Sequence, residues 1–109
     1  MKIRLARTAA TLVLAAAPTL AHAQDTIKLV NVLELSGAIA TAGTNYRNGV
    51  ELAVREINAS GGVLGRKFET VTLDAQSNAG VSKAMAQRAV DMGAFAVIGP
   101  TLSGAMVVS

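Results

Sequence analysis

Ser103 is the side chain in this sequence best placed to do chemistry. It follows Gly99-Pro100-Thr101-Leu102, just past the apolar run Phe95 to Ile98. A serine becomes a nucleophile only beside a base, and no histidine follows His22. Leu102-Ser103-Gly104 also departs from the Gly-x-Ser-x-Gly elbow, with Thr101 and Ala105 at the glycine positions. The chemistry left to Ser103 is recognition. Beyond the carboxyl end of a strand in an open α/β sheet, unpaired N–H groups of the next helix can receive an anion, and a hydroxyl beside them adds a charge-assisted bond. The alternative is an ordinary helix N-cap, worth about 1 kcal/mol, and the two roles are compatible.

The other polar candidates carry less. Glu34 and Asp74 each end an apolar or alternating run. With no second carboxylate evident as partner, Glu34 reads as a solvated or capping residue more readily than as a general acid. Tyr46 lies on a helical stripe and is assigned to packing ahead of ligand stacking. The absence of cysteine, and of histidine after His22, removes thiolate and imidazole metal sites and implies no cofactor. No catalytic residue is expected.

Residues 1–23 are set apart from the rest. Lys2, Arg4 and Arg7 precede an apolar run from Ala9 to Ala17, and Ala21-His22-Ala23 follows. This is the pattern of a secretory signal cleaved after Ala23, so the functional piece is residues 24–109. The run is too short for a membrane span of roughly 20 residues, and Pro18 breaks it. The three leader cations account for the net charge of +3, so the remainder is balanced and suggests no nucleic-acid partner. Without cysteine there is no acceptor for a lipid at the mature N-terminus. The product is expected in the periplasm, unanchored.

The elements that must position Ser103 follow in order. Thr26 to Leu35 is a near-continuous apolar run that suits a strand buried on both faces. Ser36-Gly37 opens a loop to about Gly43. A helix follows from Thr44 to Ala59, with Tyr46, Val50, Ala53, Val54 and Ile57 inward and Gly49 marking a close approach to the sheet. Asn58-Ala59-Ser60-Gly61-Gly62 closes it. Gly61-Gly62-Val63-Leu64-Gly65 follows a helix and precedes a strand, so it is a cap and turn and not a phosphate loop. Arg66 to Asp74 alternates as a more polar strand nearer the sheet edge. Ser77 or Asn78 then caps a helix from Ala79 to Met92, with Val81, Ala84, Met85, Ala89 and Met92 inward. Phe95 to Ile98 is a short buried strand leading to Ser103. The order β-α-β-α-β-(α) is the half-unit of a doubly wound parallel sheet. A strand order 2-1-3 would set Ser36-Gly37 beside Thr101 and Ser103.

The ordered set Leu35-Ser36-Gly37, Asn48-Gly49-Val50-Glu51-Leu52-Ala53-Val54, Glu56-Ile57-Asn58-Ala59-Ser60-Gly61-Gly62-Val63-Leu64-Gly65-Arg66 and Val97-Ile98-Gly99-Pro100 with Ser103 resembles one family. It is that of the periplasmic leucine/isoleucine/valine-binding (type I) substrate-binding proteins of ABC transporters. The resemblance implies the first lobe of a two-lobed protein that closes on an amino acid or similar small carboxylate and delivers it to an inner-membrane permease. It implies a monomer when full length, with residues 24–109 a truncated part of that lobe. A ligand sensor of the same fold is the alternative role, and a serine-based α/β hydrolase the rival from another class.

The resemblance makes Ser103 the serine that meets the ligand carboxylate and places Ser36 to Ala42 along the cleft. The expected ligand-binding set is Ser103, Thr101, Ser36 and Gly104. Two departures stand out: Ala42 replaces an aromatic residue of branched-chain binders, and Leu102 and Gly104 flank Ser103 where small hydroxyl residues are common. Loss of the aromatic wall leaves a ligand unlike leucine open.

Overall fold

The computed structural model describes residues 25–109, so the expected leader lies outside the described residues. The elements are β1 (Ile27–Leu33), α1 (Ala40–Ala59), β2 (Phe68–Asp74), α2 (Ala79–Asp91), β3 (Ala96–Ile98) and α3 (Ser103–Met106). All strands are parallel in the order β2-β1-β3, with Ile27 opposite Phe68 and Leu29 opposite Ala96. This is the order that sets the loops after β1 and β3 side by side. It puts β1 in the middle, which is why its run is apolar almost throughout.

The main apolar cluster lies on one face of the sheet. Val30, Val32, Leu73 and Ala75 pack with Ala89 of α2, and Val71, Met85 and Met92 close around them. Side chains alternate along a strand, so Asn31 and Thr72 point to the α1 face, where Asn31 Nδ2 donates to Thr72 Oγ1 at 3.2 Å. At its C-terminal end α1 is tied to the sheet by a reciprocal pair. Asn58 Nδ2 donates to the Phe68 carbonyl and Asn58 Oδ1 accepts from the Phe68 N–H, both at 2.8 Å.

Both long helices stop by the same device. After α1, the Gly62 N–H donates to the Ile57 carbonyl and the Gly61 N–H to the Asn58 carbonyl; after α2, Ala94 and Gly93 do the same to Ala89 and Val90. These are Schellman caps, and Gly61 (φ 103) and Gly93 (φ 73) adopt the left-handed backbone they require. Val63 and Arg66 then exchange bonds of 2.7 and 2.9 Å across Leu64 and Gly65, both at positive φ, which makes a two-residue hairpin turn.

Five expectations are corrected. α1 begins at Ala40, because Ala40-Thr41-Ala42 continues the helix and Gly43 does not interrupt it. The close approach falls at Gly43, where a Cβ would sit 2.0 Å from the Glu34 carbonyl oxygen, whereas Gly49 has open space around it. The α1 stripe is rotated relative to the sheet, so Val50 and Val54 are half-buried while Tyr46 is 48% exposed. β3 is an edge strand in place of a buried one; it pairs only with β1 among the described residues, leaving Phe95 75% exposed. On α2, Ala84 is exposed and Ser82 is buried instead, its hydroxyl donating to the Asn78 carbonyl.

Candidate ligand-binding site

Two carboxylates stand at the carboxyl edge of the sheet, and each holds a loop. Asp74 ends β2 and reaches across to the chain leaving β1. Its Oδ1 accepts from the N–H groups of Leu35 (2.9 Å), Ser36 (3.2 Å) and Gln76 (2.8 Å), and its Oδ2 from the Ser36 hydroxyl (2.7 Å). The Ser77 hydroxyl adds a second tie, donating to the Ser36 carbonyl at 2.8 Å and accepting from the Ile39 N–H. Burial works against the ionised form of Asp74. The Ser36 hydroxyl and the surrounding N–H groups outweigh it and hold the carboxyl below its ordinary value of 3.8.

Glu34 lies one residue past β1 and turns the other way. Its side chain is completely buried. Oε2 accepts from the Thr101 N–H at 3.1 Å and from the Thr101 hydroxyl, and Oε1 from the Leu102 N–H at 3.3 Å. Burial again raises the pKa, and the Thr101 hydroxyl with the Thr101 and Leu102 N–H groups more than reverses this, leaving it below 4.5. Glu34 is therefore a carboxylate at neutral pH. Two glycines hold its backbone in place: Gly43 packs on the Glu34 carbonyl, and Gly99, at φ 97, lies so close that a Cβ would meet the Val32 carbonyl oxygen at 2.2 Å.

This changes the reading of the β3–α3 turn. The N–H groups of Thr101 and Leu102, expected to be bare, are bonded to Glu34, which is a buried cap and not a solvated acid. Ser103 is the first residue of α3 and does not occupy the N-cap, which is Leu102, and no side chain of the turn caps the helix locally. Thr101 directs its hydroxyl inward and Ser36 gives its hydroxyl to Asp74, whereas Ser103 and Gly104 are exposed. The loops after β1 and β3 are thus joined through Glu34, with Ser103 on the outer side of the join. Sequence reasoning missed the roles of Glu34, Gly43 and Gly99. The available signal was an acid directly after the most apolar strand, in a chain whose third strand ends on Gly-Pro-Thr.

An apolar groove of about 590 Å³ runs elsewhere, between α2, β3 and α3, lined by residues such as Ala84, Val90, Val97 and Met106. Among the described residues no group of three or more His, Cys, Asp or Glu could hold a metal, and no helix is long and apolar enough to cross a membrane.

A parallel sheet with its first and third strand exits brought together at the carboxyl edge defines a ligand-binding α/β unit of the doubly wound kind. The chain belongs to the periplasmic binding protein family, whose model matches residues 26–109. It is 42% identical over 97 residues to the Leu/Ile/Val-binding protein BraC3 of Rhizobium johnstonii, covering 86% of this chain and 25% of that protein. It is 32% identical over 100 residues to the leucine-, isoleucine-, valine-, threonine- and alanine-binding protein of Pseudomonas aeruginosa, covering 92% of this chain and 27% of that one. The branched-chain amino acid transporter substrate-binding protein LivJ of Streptococcus pneumoniae, solved in complex with isoleucine, superposes with a TM-score of 0.75. That match is at 38% identity and covers 77% of this chain and 24% of LivJ. The chain spans about a quarter of the length of these relatives. The fold is that of the first lobe of a type I periplasmic binding protein, and the relatives named here are binding proteins.

Proposed function

We propose that this chain is the beginning of the ligand-binding lobe of an exported solute-binding protein, which captures an amino acid or similar small carboxylate in the periplasm for uptake by an ABC transporter. Residues 1–23 direct export, and residues 24–109 supply one wall of the cleft. Ser103 offers its hydroxyl and N–H to the ligand carboxylate, Gly104 allows close approach, and Ser36 and Thr101 hold the two loops that flank it. Lobe closure does the work, by shifting an open–closed equilibrium toward the liganded form.

The observation that carries the reading is the exposure of Ser103 on a turn whose inner donors are already satisfied by Glu34. Its hydroxyl is not consumed by the fold. The test is calorimetric titration of the intact protein carrying this chain with a panel of amino acids. Ser103→Ala should weaken the best ligand by about 1 to 2 kcal/mol, or roughly 5- to 30-fold, as one charge-assisted bond is lost. The 109-residue chain by itself should bind none of the panel measurably, because the opposing wall is not in it. Unchanged affinity in Ser103→Ala would remove Ser103 from the site.

A further inference from the structure

We propose, building on the solute-binding reading, that Glu34 sets the charge of the ligand this wall accepts: its buried carboxylate keeps net-negative solutes away from Ser103 and admits zwitterionic or neutral ones.

The argument begins with what surrounds Glu34. It is fully buried, so its charge is screened less than one at the surface. Among the described residues no lysine or arginine pairs with it; the ion pair found there, Arg47 with Glu51 at 3.6 Å, lies along α1. Its partners are the Thr101 hydroxyl and the Thr101 and Leu102 N–H groups, all neutral. Dipoles satisfy the oxygens and leave the unit of charge in place. The Leu102 nitrogen is 3.3 Å from Oε1, and one further residue of backbone puts the Ser103 nitrogen within about 7 Å of that oxygen. At that range a second negative charge is repelled, with solvent at the exposed Ser103 screening part of the effect. A zwitterion brings its own ammonium and largely cancels the effect.

The carboxylate is held in place by its bonds to Thr101 and Leu102, and the backbone beneath it is closely packed. Gly43 and Gly99 press against the backbone of Glu34 and Val32 at distances no other residue could occupy. Glu34 therefore acts at Ser103 in two ways, by fixing the turn through Leu102 and by its field. Fixing the turn serves every ligand alike, whereas the field acts on their net charge. The difference makes a purely structural role separable from a selective one.

The experiment measures dissociation constants of L-isoleucine, a zwitterion, and of 3-methylpentanoate, the same skeleton without the ammonium. The proteins are the intact wild type, Glu34→Gln and Glu34→Asp. Glu34→Gln keeps the shape and removes the charge, while Glu34→Asp keeps the charge. The preference for isoleucine over the monoanion should fall at least fivefold in Glu34→Gln and stay within twofold of wild type in Glu34→Asp. Amide spectra of Val30, Val32 and Val71 report whether each variant keeps its core, and Glu34→Asp against wild type decides the matter if Glu34→Gln does not fold. In that comparison a preference lowered fivefold or more, with the charge still present, overturns the proposal. A wild type that binds isoleucine with a preference unaltered in Glu34→Gln overturns charge selection alone. A wild type that binds neither probe, nor any other amino acid, overturns the solute-binding reading and charge selection with it.

Discussion

At the β2–α2 turn the helix is capped from within: Asn78 Oδ1 accepts from the Val81 N–H at 3.0 Å, and Asp74, four residues earlier, accepts from the Gln76 N–H. At the β3–α3 turn the same task falls to Glu34, which is 67 residues from Thr101 in sequence and follows the neighbouring strand β1. A local cap uses up the polar side chains of its own turn. A distant cap leaves them available, and here the one left over is Ser103. The two turns share a topology and differ in which part of the chain satisfies their backbone, and that difference separates a turn that only folds from one that can also hold a ligand.

The contrast can be broken most strongly at Glu34. Glu34→Ala strands the Thr101 and Leu102 N–H groups beside a cavity and should cost about 3 kcal/mol in urea-induced unfolding, since buried donors lose a charged acceptor. Gly43→Ala should cost about 2 kcal/mol, because its Cβ collides with the Glu34 carbonyl. Gly49→Ala, in open space on the same helix, should instead stabilise by up to about 1 kcal/mol. Equal effects at the two glycines would refute the close approach. Asn78→Ala should cost about 1 kcal/mol through loss of a working cap. Ser103→Ala should leave the unfolding midpoint unchanged, since Ser103 caps nothing.

The gentlest perturbation is pH. Both edge carboxylates are held below their ordinary values, Glu34 below 4.5 and Asp74 below 3.8. A depressed carboxyl contributes stability that is fully present above its unfolded value and is lost as pH falls through its folded one. Stability should therefore be level from neutral pH down to about 4.5 on account of these groups, and decline below that. Glu34→Gln should flatten part of the decline. Unfolding curves at a series of pH values measure it, and a variant that declines as steeply as wild type would contradict the assignment.

Local devices were the legible part of this sequence. Both glycine-closed helix ends, the Val63–Arg66 turn and the Asn78 cap all follow from residues within a few positions of one another. What escaped depends on distant chain segments meeting. Glu34 could be read as solvated or as a cap but not assigned a partner, because nothing near it in sequence could satisfy it; its donors arrive after β3. Gly43 looked like the end of a loop because the carbonyl it must clear belongs to β1. The burial of β3 was overestimated from its composition, since an apolar strand reads the same at an edge as at the centre, and only the pairing tells them apart.

Amide hydrogen exchange at Thr101 and Leu102 tests the distant cap most directly, measured in wild type, Glu34→Ala and Ser103→Ala. Protection at both amides should drop at least tenfold in Glu34→Ala while the Val30 and Val32 amides stay protected, and should be unaltered in Ser103→Ala. Protection that survives in Glu34→Ala but is lost in Ser103→Ala would mean that the serine caps its own helix and is not left free for a ligand.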